Sequence, residues 1–297
     1  MTDGLIGAIE AGGTKFVCAL ARFDGAIVAR TRIATRTPAE CFPDVAAFFA
    51  DAPAPIAAFG VASFGPIDID PASPAYGTFT TTPKPGWQGA RFHDVLGSFG
   101  VPIVVDTDVN GAAIGEWLQG AGQGTRTLAY TTIGTGVGTG VLRDGHALMG
   151  FSHYEMGHIH TGRDAAIDPF AGDCPYHSDC LEGLVAGPAI IKRWGTSLDQ
   201  LADDRAKIDL IGGYIADLAA NLVLMHMPDR LIFGGGVAKA PGLIEAVRRR
   251  TAARLNGYVK NPRLDPGLET YIVTPRLGDD AGITGAIELG RHALRQT

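Results

Sequence analysis

The sequence predicts an α/β protein, and three observations carry that reading. Short apolar runs of strand character alternate with segments of helical periodicity along the chain. Three of those runs end in glycine clusters, at Gly12 and Gly13, at Gly134 and Gly136, and at Gly234, Gly235 and Gly236. The length, 297 residues, suits two domains at about 100–200 residues each.

Taken in order, Leu5 to Ile9 is an apolar run that breaks at Gly12 and Gly13 and resumes over Phe16 to Ala21. That is the pattern of a strand, a glycine hairpin and a second strand. Val45, Phe48 and Phe49 fall at helical spacing and predict a helix over Pro43 to Ala50, and Ile56 to Ser63 reads as a buried strand. Pro71 to Trp87, rich in Pro, Thr, Ser and Gly, predicts a long loop of the kind that usually serves a function. A further strand, Val101 to Val105, ends on Asp106-Thr107-Asp108 and passes into a helical pattern from Gly111 to Leu118. Leu128 to Ile133 is strand-like and breaks into Gly134-Thr135-Gly136-Val137-Gly138-Thr139-Gly140, with Val141 and Leu142 continuing as strand. After a segment of little apolar periodicity come helices at Gly187 to Trp194 and Ala206 to Met227, a strand at Leu231 to Phe233, and a last helix from about Ala281. The paired glycine hairpins near residues 12 and 136 suggest a duplicated architecture.

Composition narrows the function classes. A net charge of -6 gives no basic footprint for nucleic acid or an anionic membrane surface. The 41 glycines are about twice the usual ~7% share, which points to tight turns and to backbone that closes on a ligand. The amino terminus lacks the pattern of a secretory signal, and the greasiest stretch, Tyr214 to Met227, is interrupted by Asp217, Asn221 and His226. A cytoplasmic protein is expected, with reduced thiols, so paired cysteines are expected to bind metal or to be inert rather than to form a disulfide.

Glycine turns after strands suit phosphate, because backbone N–H groups can close around the anion. Glu10-Ala11-Gly12-Gly13-Thr14-Lys15 lacks Walker spacing, and the run from Gly134 to Gly140 leads into a strand rather than the helix of a dinucleotide fingerprint. Three such clusters point to a nucleoside triphosphate held between two domains. Asp106 and Asp108 stand where a strand gives way to a helix, as an acid for proton transfer would, and as a capping residue also would. Residue type alone leaves the two acids open. Cys174, His177 and Cys180 follow a C-x2-H-x2-C pattern, and a fourth ligand from His153, His158 or His160 would complete a tetrahedral zinc set. Two buried cysteines, or a disulfide, are the alternatives.

Six motifs in order resemble the ROK family of sugar kinases and repressors: IEAGGTK (Ile9 to Lys15), DTDVNGAAIGE (Asp106 to Glu116), TIGTGVGTG (Thr132 to Gly140), EMGH (Glu155 to His158), CPYHSDCLEG (Cys174 to Gly183) and IFGGGV (Ile232 to Val237). ASFGPID (Ala62 to Asp68) and TPKPGW (Thr82 to Trp87) resemble its bacterial fructokinase branch. The chain departs from the commoner family pattern at Glu10, where many members have Asp, and at His177, where they have Cys.

The resemblance implies an actin-like ATPase (ribonuclease H-like) fold of two α/β lobes with nucleotide and sugar in the cleft between them. The small lobe is expected over residues 1–109 with the C-terminal helix 279–297, and the large lobe over 110–278 with a zinc-binding insert at 158–180. It implies ATP-dependent phosphorylation of a hexose, fructose first, with glucose, mannose or an N-acetylhexosamine as alternatives, and it assigns Asp108 as general base. Sugar contacts are implied at Asp108, Asn110, Glu155, His158 and Glu182. ATP contacts are implied at Gly12, Gly13, Thr14, Lys15, Thr135, Gly136, Gly187, Pro188, Gly234, Gly235 and Gly236, with Mg²⁺ on the phosphates. His158, Cys174, His177 and Cys180 are implied as ligands of a structural Zn²⁺, and a homodimer is expected. A sugar-responsive repressor of the same family is disfavoured, because about ten residues before the first loop leave no room for a helix-turn-helix.

Overall fold

The computed structural model describes residues 4–264 and 266–295. The chain runs through β1 (Leu5–Ala11), β2 (Lys15–Ala21), β3 (Ile27–Ala34), α1 (Pro38–Ala50), β4 (Ile56–Ser63), α2 (Phe92–Leu96), β5 (Ile103–Thr107) and α3 (Asp108–Gln119). It continues through β6 (Thr127–Ile133), β7 (Val137–Arg143), β8 (His146–Ala147), α4 (Leu181–Val185), α5 (Gly187–Trp194), α6 (Arg205–His226), β9 (Arg230–Gly234), α7 (Leu243–Leu255), β10 (Ile272–Val273) and α8 (Ala281–Arg295).

Two compact units result. One takes residues 4–119, 148–153 and 279–295, and the other takes Gly120–Ala147 and Tyr154–Gly278. The expected boundary at 109/110 falls ten residues later, at 119/120, because α3 packs along α8 inside the first unit. The two helices approach so closely that a Cβ on Gly285 would lie 1.8 Å from the carbonyl oxygen of Gly111, a distance only glycine permits. Residues 148–153, expected in the large lobe, also belong to the first unit.

Both units are built on a mixed five-stranded sheet of one topology. In the first the order is β3-β2-β1-β4-β5, with β1 antiparallel to β2 and parallel to β4. In the second it is β10-β9-β6-β7-β8, with β6 antiparallel to β7 and parallel to β9. The meander β1-β2-β3 thus has its counterpart in β6-β7-β8, and the two glycine hairpins occupy equivalent corners.

The aromatic core of the first unit gathers on Trp87, which is fully buried with ring centroids of Phe79, Phe64, Phe16 and Phe42 at 4.9, 5.2, 5.5 and 5.6 Å. Its indole N–H donates to the Arg36 carbonyl at 2.7 Å, meeting the one polar demand of the ring. The long loop after β4 is thereby pinned beside the β1–β2 hairpin. Helix α1 begins at Pro38, earlier than apolar spacing predicts, because Glu40 accepts the Thr37 N–H at 3.1 Å and Pro38 stands where a missing N–H costs nothing. In the second unit α6 is long and apolar enough to cross a membrane, yet 67% of its apolar window is buried, so it serves as a core helix.

Candidate active site

The β1–β2 turn is arranged to receive an anion. Each carbonyl of its three residues is already engaged: Gly12 by the Thr35 hydroxyl at 2.8 Å, Gly13 by Lys84 Nζ, and Thr14 by the Thr35 N–H at 3.0 Å. Among the described residues nothing accepts the N–H groups of Gly13 and Thr14. The turn therefore presents donors, with its lone pairs directed at protein partners. Neither Thr35 nor Lys84 was legible as part of this loop, since one follows β3 and the other sits about seventy residues downstream.

Glu10 closes the same end of β1. Its Oε2 is buried without a hydrogen-bond partner. Burial, and next the charge of Asp108, push its carboxyl from 4.5 up to about 7, against the pull of Lys15 and Arg30. Sequence reasoning registered Glu10 only as a departure from the family pattern and gave it no role.

At the end of β5 the two acids have different partners. Asp106 accepts the Asn110 side-chain amide at 2.6 Å and the Thr107 N–H at 2.7 Å, and burial raises its pKa in spite of these bonds and of His153. Thr107 caps α3 through its hydroxyl, which accepts the Asn110 N–H at 3.2 Å. Asp108 is then the first residue of α3, with Oδ1 on the Val109 N–H at 2.9 Å. The capping role falls to Thr107, and the structural role to Asp106. Asn110, expected at the sugar, is buried with its amide on Asp106, a bond that steadies the turn carrying Asp108.

In the second unit the glycine clusters converge. Gly134 accepts the Gly187 N–H at 2.7 Å and donates to the Gly136 carbonyl at 2.9 Å, which brings the start of α5, with Pro188 in its first turn, onto the β6–β7 hairpin. Gly235 packs on Ile133, where an added Cβ would stand 2.3 Å from the carbonyl oxygen. Thr135, at the hairpin tip, is exposed. Glu182, near the start of α4, accepts the Val137 N–H on Oε2 at 2.8 Å, so one carboxylate touches both the hairpin and the ground around His158, whose Nε2 lies 4.0 Å from Oε1.

The EMGH turn lies directly on β7. Gly157 is obligatory there, because a Cβ would sit 1.9 Å from the Val137 carbonyl oxygen. Glu155 precedes it, its carboxyl raised by burial and by Glu182, with His158 opposing. The pair of glutamates and His158 thus share one local field.

The segment from His160 to Gly183 resolves around four side chains. Donor atoms of His158, Cys174, His177 and Cys180 lie within 4.8 Å of one another. His158 Nδ1 is 3.5 Å from Cys180 Sγ and 3.7 Å from Cys174 Sγ, and His177 Nδ1 is 3.7 Å from Cys174 Sγ. Zinc bonds of about 2.0–2.3 Å in a tetrahedron put neighbouring ligand atoms about 3.3–3.8 Å apart, so the residues present fit that ion. The rival histidines lie elsewhere: His153 Nε2 accepts the Ile67 N–H at 3.4 Å in the first unit, and His160 pairs with Cys180 only through backbone. All four cysteines are free thiols, and Cys18 and Cys41 are buried in the first unit.

The geometry defines a class: a duplicated α/β protein with glycine hairpins after β1 and β6, the first presenting backbone donors, and a carboxylate at the head of α3. The model of the ROK family matches residues 6–293, and the chain belongs to that family. It is 44% identical to a fructokinase of Pediococcus pentosaceus, over 98% of this chain and 99% of that protein. It is 42% identical to a fructokinase of Zymomonas mobilis, over 97% of each. A ROK glucokinase from Streptomyces griseus, solved with glucose and AMPPNP, superposes with a TM-score of 0.75 at 23% identity, over 97% of this chain and 100% of that one. The fold is accordingly the actin-like ATPase fold.

Proposed function

We propose that the protein is an ATP-dependent hexose kinase that converts D-fructose to fructose 6-phosphate. The observation that carries this reading is the full-length identity of 42–44% to two fructokinases, in a chain that retains an acid at the head of α3 and glycine hairpins at equivalent corners of its two sheets.

In this reading Asp108 accepts the proton of the sugar's primary hydroxyl as that oxygen attacks the γ-phosphorus of MgATP. The bond from phosphorus to the β,γ-bridging oxygen breaks, its electron pair leaves with ADP, and the proton stays on the Asp108 carboxylate until product departs. The N–H groups of Gly13 and Thr14, with Lys15, offset the negative charge of the phosphates. Thr135 and Gly136, Gly187 and Pro188, and Gly234, Gly235 and Gly236 hold the nucleotide, consistent with their convergence around the end of β6.

Glu155, His158 and Glu182 take sugar hydroxyls. Asn110 acts on the sugar through the turn it steadies. His158, Cys174, His177 and Cys180 would hold a structural Zn²⁺, which with four protein ligands would supply rigidity and no bound nucleophile. Its work is to fix His158 and, two residues beyond Cys180, Glu182. The homodimer expected from the family belongs to the same proposal, together with a cytoplasmic location. Exposed Leu224, Met225 and Met227, 47%, 74% and 56% accessible at the end of α6, offer apolar area for association.

The test is ADP release with MgATP across fructose, glucose, mannose, allose and N-acetylglucosamine. Fructose should give the highest kcat/KM. A higher value on an aldohexose would move the assignment within the family, and no turnover on any of the five would overturn it.

A further inference from the structure

We propose that Lys84 is a phosphate-contacting residue: its ammonium, held at the β1–β2 turn, pairs with oxygens of the β- and γ-phosphates while the phosphoryl group is transferred. This rests on the kinase reading above and adds a cation to it.

The reaction spreads negative charge over the γ-phosphoryl oxygens and the leaving β,γ-bridging oxygen, and positive charge fixed beforehand is worth most there. Lys84 is fixed by its sequence surroundings. Pro83 and Pro85 flank it, each with its φ fixed by the ring, and Pro85 disfavours the helical region for Lys84. Three residues on, buried Trp87 anchors the loop through the Arg36 carbonyl, and the Trp87 N–H returns to the Lys84 carbonyl at 3.2 Å. The side chain crosses the face of Phe64, with Nζ 5.9 Å from the ring centroid, and ends on the Gly13 carbonyl. Its stem is therefore guided by an aromatic wall to one place, the turn whose Gly13 and Thr14 N–H groups have no acceptor among the described residues.

An ammonium group has three donors. Gly13 takes one, and no described carboxylate pairs with Nζ. A Cβ placed on Gly13 would meet nothing within 4 Å, so the turn is uncrowded on that side. A polyphosphate on the turn accepts from the N–H groups of Gly13 and Thr14, and because the Gly13 carbonyl that holds Nζ points away from the Thr14 N–H across a trans peptide, the two remaining Nζ donors meet other oxygens of the same polyphosphate. Of the other cations near this end of β1, Arg30 is engaged with Asp280 at 2.7 Å, and Lys15 opens β2 with an exposed side chain, so its charge acts on the same phosphates without the wall that guides Lys84.

The plainer role for Lys84 is to tie its loop to the turn, which one N–H bond accomplishes. The two roles differ in what they perturb. Lys84→Met keeps the apolar stem and removes the charge, whereas Lys84→Arg keeps the charge on a different head. For a phosphate contact, Lys84→Met should lower kcat/KM for ATP by about 10- to 100-fold, the range for losing one charge-assisted bond. It should weaken calorimetric binding of Mg·AMPPNP by about tenfold and leave adenosine binding, the fructose KM and the melting temperature near wild type. Lys84→Arg should recover most of the loss.

Wild-type kcat/KM for ATP and wild-type AMPPNP affinity in folded Lys84→Met would overturn the proposal. So would a loss that tracks the fructose KM and the melting temperature together and is not rescued by Arg, the signature of a tie alone. Should the wild-type protein phosphorylate no hexose, the kinase reading fails by itself. The comparison of AMPPNP with adenosine then decides Lys84 separately, a selective loss supporting a polyphosphate contact and an equal affinity refuting it.

Discussion

Replacing Glu10 by Gln should stabilise the protein in alkaline solution and change it much less in mild acid. The Glu10 carboxyl has a buried oxygen without a partner, and burial followed by the charge of Asp108 lifts it from 4.5 to about 7. Between those values the folded chain holds a proton that the unfolded chain has released. The native state is therefore favoured less and less as pH rises, with the penalty absent below about 4.5 and complete above about 7. At 1.36 kcal/mol per pH unit the gap corresponds to about 3 kcal/mol, and residual solvent contact trims the expected effect to about 2–3 kcal/mol. Gln keeps the shape and cannot ionise. Urea unfolding of wild type and Glu10→Gln at pH 5 and pH 8.5 reads it: the difference between the two proteins should grow by about 2–3 kcal/mol toward high pH, any fixed cost of the amide cancelling. A difference that stays constant across the range would refute the buried-acid account of this corner.

Glu288 should behave with the opposite sign. Burial opposes its charge, but bonds from His292, Arg291 at 2.9 Å and Arg295 at 2.8 Å outweigh that and bring the carboxyl down to about 2. Its stabilisation is complete above about 4.5 and lost as pH falls through about 2, so Glu288→Gln should cost about 2–3 kcal/mol at pH 7 and less than about 1 kcal/mol at pH 2.5, read from melting or urea curves. For the cysteine segment, elemental analysis should find about one zinc per chain. Cys180→Ser should lose it, raise protease cleavage within residues 158–180 and raise the fructose KM; a variant that retains metal would move the site.

Much of the framework was legible because its signals are local. Ile56–Ser63 and Gly187–Trp194 end where the apolar pattern ends, and the glycine breaks after β1, β6 and β9 mark strand ends that any reading of periodicity finds. What escaped depends on partners distant in sequence. Strand β3, with Arg30 and Arg32 and exposed side chains along most of its length, carries little apolar signal and is held as an edge by β2. Helix α7 hides behind Arg248, Arg249 and Arg250, although Leu243, Val247, Thr251 and Leu255 line one buried face. The unit boundary depends on α3 meeting a helix about 170 residues later, which no local pattern reports.

The site divides along the same line. Spacing brings Cys174, His177 and Cys180 together and leaves His153, His158 and His160 open, the resemblance picks His158 through EMGH, and the structure sets the His158 ring beside the other three because the EMGH turn folds on β7. Asp106 and Asp108 look alike in sequence and part company through Asn110 and Thr107. Lys84 and Thr35 are invisible as partners of the first hairpin until the loop and β3 are laid beside it.

The central claim is that Asp108 is the base of a hexose kinase, and its most direct test is steady-state turnover of Asp108→Asn with saturating MgATP and fructose, beside a melting curve. In Asp108→Asn, kcat should fall by about 10²- to 10⁴-fold with the fructose KM and the fold preserved. Near wild-type kcat in a folded Asp108→Asn protein would contradict it.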